Sequence, residues 1–284
     1  MTKSTFDQIL KDNVVNCAGY DCFSPTGYGA PYPTYYSRYF FNEFVTQMIT
    51  DYPTHYEKYR QGRGSELVSI NSKPPKMSCV GSSSRFCYLA FRNYHGVDFE
   101  HDCPIAGIRG TAPQMDTYFE DKNIFIEVKC HEIFDAHKMM LSNQYYNLLF
   151  GEGNDFGLET EGSEIVKKSK AFEIPIDKFG LEGKLSMIDF KQFICHLLGI
   201  KSHKKADETA TLIYLFFKPK TTSQAQRDEI NILFAKLKSE IKSVFESTPI
   251  KAFVQKNNIE LKAVAEYAEV MTQLTAENAI ILYE

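Results

Sequence analysis

Residues 124–130, Ile-Phe-Ile-Glu-Val-Lys-Cys, form an apolar run with two charges inside it, and no other segment constrains the fold as much. Such a run suits a strand buried on both faces, where a charge is costly unless it is paired or bound to a metal. Side chains alternate along a strand, so Glu127 and Lys129 share one face while Ile126 and Val128 share the other. The preceding Glu120-Asp121-Lys122-Asn123 is a polar turn signal, and it predicts a hairpin with the segment around Asp116. Pairing of these two segments sets Asp116 beside Glu127.

Two carboxylates and an ammonium held together are the parts needed to bind a hard divalent cation and activate a water beside a phosphodiester. The Glu-x-Lys triplet alone says little, because the chain repeats it or its Asp form at Glu120, Glu182, Glu240, Glu260 and Asp189. Only the copy at 127–129 joins a buried-strand context to an upstream aspartate. The competing reading is a structural ion pair of Lys129 with Glu127 or Asp116, since such networks present the same residues.

A length of 284 residues admits one large domain or two small ones, and 43% hydrophobic with 24% charged residues is ordinary globular composition. No apolar run reaches the ~18 residues of a membrane helix, and Met-Thr-Lys-Ser-Thr-Phe-Asp has no signal-peptide core, so a cytoplasmic chain with no membrane partner is expected. Seven cysteines, an odd number, fit reduced thiols. Cys17-x4-Cys22 and Cys130-His131 with His137 begin zinc-like patterns that no further ligands complete. The net charge of −4 is not that of a typical nucleic-acid binder. A local basic rim would suffice, and Lys167-Lys168-x-Lys170, Lys201–Lys205 and Lys218-x-Lys220 are candidates, each also readable as a solvated face. Residues 263–284 hold four acids and no Lys or Arg, which makes that end a poor partner for DNA.

Residues 17–36 are rich in Gly, Pro and Tyr and read as an irregular lead-in, with tyrosines that either stack on bases or pack on the surface. Helical spacing is predicted over 36–51 and over 56–69, the second carrying Glu66, with a loop over 71–84. Phe86–Arg92 fits a strand or a short helix. Strands at Asp116 and Glu127 are followed by helix-like sequence over 133–150 and a Gly-rich loop over 151–162. Ser186–Ile200 reads as a helix with Gly199 as a stop signal, and Thr211–Phe217 as a buried strand before Pro219. Amphipathic helices broken at Pro249 are predicted over 223–270, with Ile230, Ile232, Leu233, Leu237, Ile241 and Phe245 as the stripe. The sum is an α/β chain, a mixed central sheet of about four core strands flanked by helices, in one domain. Residues 1–60 form its lead-in, 61–220 its core with an insertion near 133–185, and 221–284 its C-terminal helices.

In this order the residues resemble the PD-(D/E)xK nuclease superfamily, the restriction-endonuclease-like fold, whose core runs helix, three strands, helix, strand. Asp116, Glu127 and Lys129 match its second- and third-strand positions, and 211–217 matches its fourth strand. Pro113 stands three residues before Asp116 rather than next to it. Ser82-Ser83-Ser84, Phe99-Glu100 and Ile188–Ile200 leading to Leu212-Ile-Tyr-Leu are similar to an uncharacterised bacterial branch. The resemblance covers roughly residues 60–220. It implies Mg2+, or Mn2+ in its place, held by Asp116, Glu127 and the Val128 carbonyl, with Lys129 as the catalytic cation or base. It further implies Glu66 as an accessory acid and DNA as substrate, possession of a restriction-type activity included. Gln192 is predicted to neighbour the site, while His196, four residues on and on the same face with Asp189, reads as a satisfied, partly buried histidine. The alternative is a nucleic-acid-binding or assembly protein that keeps the fold without cleavage. The oligomeric state is left open, a homodimer included.

Overall fold

The computed structural model describes residues 1–12, 21–23, 34–62, 66–110, 112–134, 138–159, 165–183, 185–205, 207–267 and 279–283. Among them, helix α1 (Lys3–Asp12) and a two-stranded ladder, β1 (Asp21–Phe23) with β2 (Thr34–Tyr36), precede helices α2 (Arg38–Asp51), α3 (Pro53–Gln61) and α4 (Ser83–Phe91). Strands β3 (Val97–Asp102), β4 (Gln114–Phe119) and β5 (Ile124–Lys129) follow. A small sheet of β6 (Met140–Ser142), β7 (Val166–Lys168) and β8 (Ala171–Glu173) comes next, with helix α5 (Asn143–Phe150) between its first two strands. Then come helix α6 (Phe190–His203), strand β9 (Ala210–Lys218), helices α7 (Gln224–Phe245) and α8 (Thr248–Lys256), and strands β10 (Ile259–Tyr267) and β11 (Ala279–Tyr283).

The central sheet is mixed, in the order β11-β10-β9-β5-β4-β3. Strands β5, β9 and β10 run parallel, while β4 is antiparallel to both β3 and β5. The β4–β5 hairpin turns at Asn123, whose φ of 52° is the left-handed value that Asn tolerates. Its amide donates to the Thr209 carbonyl at 3.1 Å, tying the turn to the start of β9. Helix α4 covers one face: Cys87 Sγ lies 3.3 Å from Thr117 Oγ1, and Phe86 packs edge-on against Phe217. Helix α6 covers the opposite face, where Phe193 packs on Tyr214 and Phe245 of α7.

Of the two readings of Phe86–Arg92, helix holds, over Ser83–Phe91, with Ser82 capping it by accepting the Arg85 N–H. Several other elements differ from the sequence reading. The first strand of the sheet is Val97–Asp102, whose Asp98, Glu100, His101 and Asp102 hid it from a hydrophobicity pattern. The predicted helix over 56–69 is α3, which starts at Pro53 and ends at Gln61, where the Gly62 N–H closes on the Lys58 carbonyl. Glu66 therefore stands on a bend after the helix, its carbonyl accepting the Met77 N–H. Of the helix expected over 133–150, only Asn143–Phe150 is α-helical, preceded by a 3-10 turn at His131–Phe134 and by β6. The stretch to 270 is not all helix: after α7 and α8, β10 alternates buried Ile259, Leu261, Ala263 and Ala265 with outward Glu260 and Lys262. That strand and β11 bring the sheet to six strands rather than about four. Ile232, placed in the α7 stripe from sequence, is 71% exposed, and Phe234 and Val244 take the buried positions. Pro249 does mark the break, in the first turn of α8. Most of the residue 17–36 lead-in, including Tyr20, Tyr28 and Tyr32, lies outside the described residues.

Gly199 is not a stop signal, since α6 continues to His203. Its role is close approach: a Cβ there would meet Cys103 Cβ at 3.0 Å, the Cys103 carbonyl oxygen at 3.1 Å and Pro113 Cβ at 3.3 Å. Gly→Ala inside a helix ordinarily stabilises by about 1 kcal/mol. Here Gly199→Ala should instead destabilise by about 1–3 kcal/mol through overpacking, read as a lower urea midpoint with an unchanged slope.

Candidate functional site

The register of the sheet collects the site. Thr117 pairs with Ile126, so the next position along sets Asp116 opposite Glu127. Beyond that pair Asp116 Oδ2 accepts the Val128 N–H at 2.7 Å. On the other side of β4, Phe99 pairs with Thr117 and His101 with Met115, leaving Glu100 opposite Asp116. Glu100, Asp116 and Glu127 thus form a row across three adjacent strands. Glu100 has a φ of 52°, a strained value for a glutamate inside a strand.

Glu127 is 3% exposed and is held by three neighbours. Lys129 Nζ donates to its Oε1 at 2.6 Å and Gln192 Nε2 donates to the same oxygen at 2.9 Å. Lys129 also donates to Gln192 Oε1 at 2.7 Å, which closes a triangle of three side chains. His196 Nε2 stands 3.7 Å from Glu127 Oε2, and its Nδ1 is 3.1 Å from the Tyr214 hydroxyl. The position of Gln192 is fixed from behind. Asp189 caps α6 by accepting the Gln192 N–H, and Glu240 of α7 accepts the N–H groups of Ser186, Met187 and Ile188. Glu240 belongs to one of the other Glu-x-Lys copies, and this anchoring role is its place in the fold.

These groups open on a cleft of about 750 Å³ lined by Glu66, Lys76, Glu100, Asp116, Glu127, Lys129, Gln192, His196 and Tyr214. Glu66 is 4% exposed, with Lys76 Nζ 3.3 Å from its Oε1 and, among the described residues, no hydrogen-bond partner at its Oε2. Burial, then the Glu127 charge, pushes the Asp116 carboxyl well above the usual carboxylate range, against Lys129 and the Val128 N–H. Burial, then Glu66, pushes Glu100 up to about 8, with Lys76 opposing and Glu127 adding. Burial pulls the Lys129 ammonium down, but Glu127, Glu132 and Asp116 outweigh it and raise it above the ordinary lysine value. Burial lowers His196, with Glu127 opposing, and its Nδ1 stays within hydrogen-bond distance of the Tyr214 hydroxyl.

Asp116, Glu127, Lys129 and Glu66, named from sequence, all line this one cleft, as do Gln192 and His196. Glu100 was missed as a site residue, and the left-handed conformation that turns it inward has no sequence signal in a non-glycine residue. The donors suit a hard cation, being the carboxylate oxygens of Glu66, Glu100, Asp116 and Glu127 along one cleft. Among the described residues no three His, Cys, Asp or Glu side chains are gathered to hold a metal ion, so water, substrate or a backbone carbonyl would complete any such sphere. The zinc-like patterns gain nothing: Cys17 and His137 lie outside the described residues, and Cys130 is buried. One lysine of each basic cluster is held by a neighbour, Lys168 by Glu173, Lys201 by Asp155 and Lys218 by Asn231. No helix of the described residues is long and apolar enough to cross a membrane. Comparison with known proteins returns no match: no family model, curated sequence or solved structure aligns with the chain.

A carboxyl whose folded value lies above its unfolded one binds protons more tightly in the folded state. Its stability contribution is complete below the unfolded value and lost as pH rises through the folded one. For Glu100 that window runs from its ordinary 4.5 to about 8. Thermal unfolding in EDTA should show stability falling as pH is raised through this range, and Glu100→Gln should flatten the fall. An unchanged slope in the variant would remove Glu100 from the account.

Proposed function

We propose that this chain is a Mg2+-dependent nuclease that hydrolyses phosphodiester bonds, with DNA as its substrate. The observation that carries the reading is that Asp116 and Glu127 line one wall of a cleft, Asp116 tied to β5 through the Val128 N–H and Lys129 donating to the Glu127 carboxylate. The order α4, β3, β4, β5, α6, β9 supports it, since helix, three strands, helix, strand is what the resemblance to PD-(D/E)xK nucleases implies. Asp116 and Glu127, with the Val128 carbonyl, would hold Mg2+, which would supply Lewis-acid activation of a water and of the phosphate.

The remaining work falls to the chain's own groups. Lys129, raised above the ordinary lysine value, is an ammonium at neutral pH and acts as a charge beside the phosphate rather than as a base. Gln192 holds both Lys129 and Glu127, so it sets the angle between them. Asp116 Oδ2 is oriented by the Val128 N–H and leaves its second oxygen for a cation. Lys76 and Lys191 line the same cleft and offer the local positive charge that the chain's net −4 withholds.

The closed Lys129–Glu127–Gln192 triangle favours a second reading, a nucleic-acid-binding protein that keeps the fold without cleavage. One assay separates the two. The purified protein is incubated with linear, circular and single-stranded DNA in Mg2+, Mn2+ or EDTA. Cleavage should appear only with metal and fall by at least about a hundredfold in Asp116→Asn and in Lys129→Ala. Lys129→Ala also strips a buried carboxylate of its partner, at about 3–5 kcal/mol, so each variant is compared below its own unfolding temperature. Binding without cutting on every substrate would favour the second reading.

A further inference from the structure

The last turn of α6 meets β3, the edge strand of the sheet, through two histidines that the cleft does not use. Neither His101 nor His203 lines the cleft, and their Nε2 atoms stand 3.0 Å apart. We infer that His101 and His203 form a binding site for a borderline transition cation of the Ni2+ and Zn2+ class, with Asp98 orienting His101 and water completing the sphere. The inference does not depend on the nuclease reading.

The side chains behind the pair prepare it for a metal. Asp98 Oδ2 lies 2.7 Å from His101 Nδ1, and Lys58 Nζ holds the other oxygen of Asp98 at 2.7 Å. An ionised carboxylate only accepts, so it takes the Nδ1–H, which in a neutral imidazole leaves Nε2 with a lone pair. A carboxylate behind the far nitrogen is the usual support of a metal-bound histidine. The spacing also fits one ion. Nitrogens about 2.1 Å from a metal stand about 3.0 Å apart at a right angle and about 3.4 Å apart at the tetrahedral angle. The ring centroids are 4.6 Å apart at 77°, less than the contact plus two ring radii. The nitrogens therefore do not meet head-on, as a straight N–H···N bond requires. Burial, then His101, pulls His203 below the ordinary histidine value, toward the unprotonated form that ligates, with Glu120 and Asp98 opposing. Those two carboxylates, and the C-terminal end of α6, favour a cation. His101 is 14% exposed and His203 half-buried, which leaves an ion a way in. Among the described residues no third ligating side chain joins them. Selection then rests on ligand type, since imidazole suits Ni2+, Cu2+ and Zn2+ whereas Mg2+ takes oxygen.

Calorimetric titration of the untagged full chain with Ni2+ tests this, in excess Mg2+ to occupy the acids of the cleft and with melting in EDTA as the folding control. Wild type should take up about one Ni2+ per chain. His203→Gln should weaken that uptake by at least about tenfold, and Asp98→Asn by about as much, while Asp116→Asn leaves it unchanged. Ni2+ should also raise the melting temperature of wild type and not that of His203→Gln. His101→Gln should match His203→Gln; if it fails to fold, His203→Gln decides alone. No Ni2+ uptake by wild type, or uptake of equal affinity in His203→Gln, would overturn the site. Wild-type affinity in Asp98→Asn would remove Asp98 from it. A pair that is only structural would lower melting in EDTA when His203 is replaced, with no response of wild type to Ni2+.

Discussion

The arrangement of the site depends on one buried charge, the carboxylate of Glu127 between the sheet and α6. It is 3% exposed, in a medium where an isolated ion costs several kcal/mol. Its position is tolerable only because Lys129, Gln192 and, more distantly, His196 face it at once. Those partners come from two elements, β5 and α6, and their geometry requires α6 to lie at one height over the sheet. Gly199 against Cys103 and Asp189 at the N-cap fix that height. Packing and electrostatics are thus the same constraint seen from two sides.

Much of the fold was legible because it rests on patterns with one period. The β4–β5 hairpin and β9 were read from sequence close to their observed limits, and α6 was read as a helix that in fact starts four residues later and ends three residues later. The failures have local causes. Strand β3 carries charges on nearly every position, so alternation could not reveal it; its pairing partner, β4, decides it. Strand β10 follows two amphipathic helices and is built partly of Ala, which favours helix when taken alone. Parallel pairing with β9 along its whole length overrides that propensity. Phe86–Arg92 was ambiguous in period, and the Ser82 cap settles it as helix.

The candidate site divides in the same way. Asp116, Glu127 and Lys129 were legible because hairpin register follows from the turn at 120–123. Gln192 followed from helical spacing. Glu66 was placed on a helix that ends five residues before it, yet it arrives in the cleft through the Met77 N–H that holds its backbone. Glu100 depends on a backbone angle that only the assembled sheet imposes.

The contact between Glu240 and the backbone of residues 186–188 makes α7 the base plate on which the site is mounted. A helix transmits rotation rigidly, about 100° for each residue gained or lost. Changing the length of α7 by a single residue ahead of Glu240 would therefore swing that carboxylate off the three N–H groups. Substitutions on the solvent side of α7 are free to drift in chemistry, but the helix is not free to drift in length. The C-terminal part of the chain, remote in sequence from every acid in the cleft, thereby sets the clock position from which Gln192 addresses Glu127.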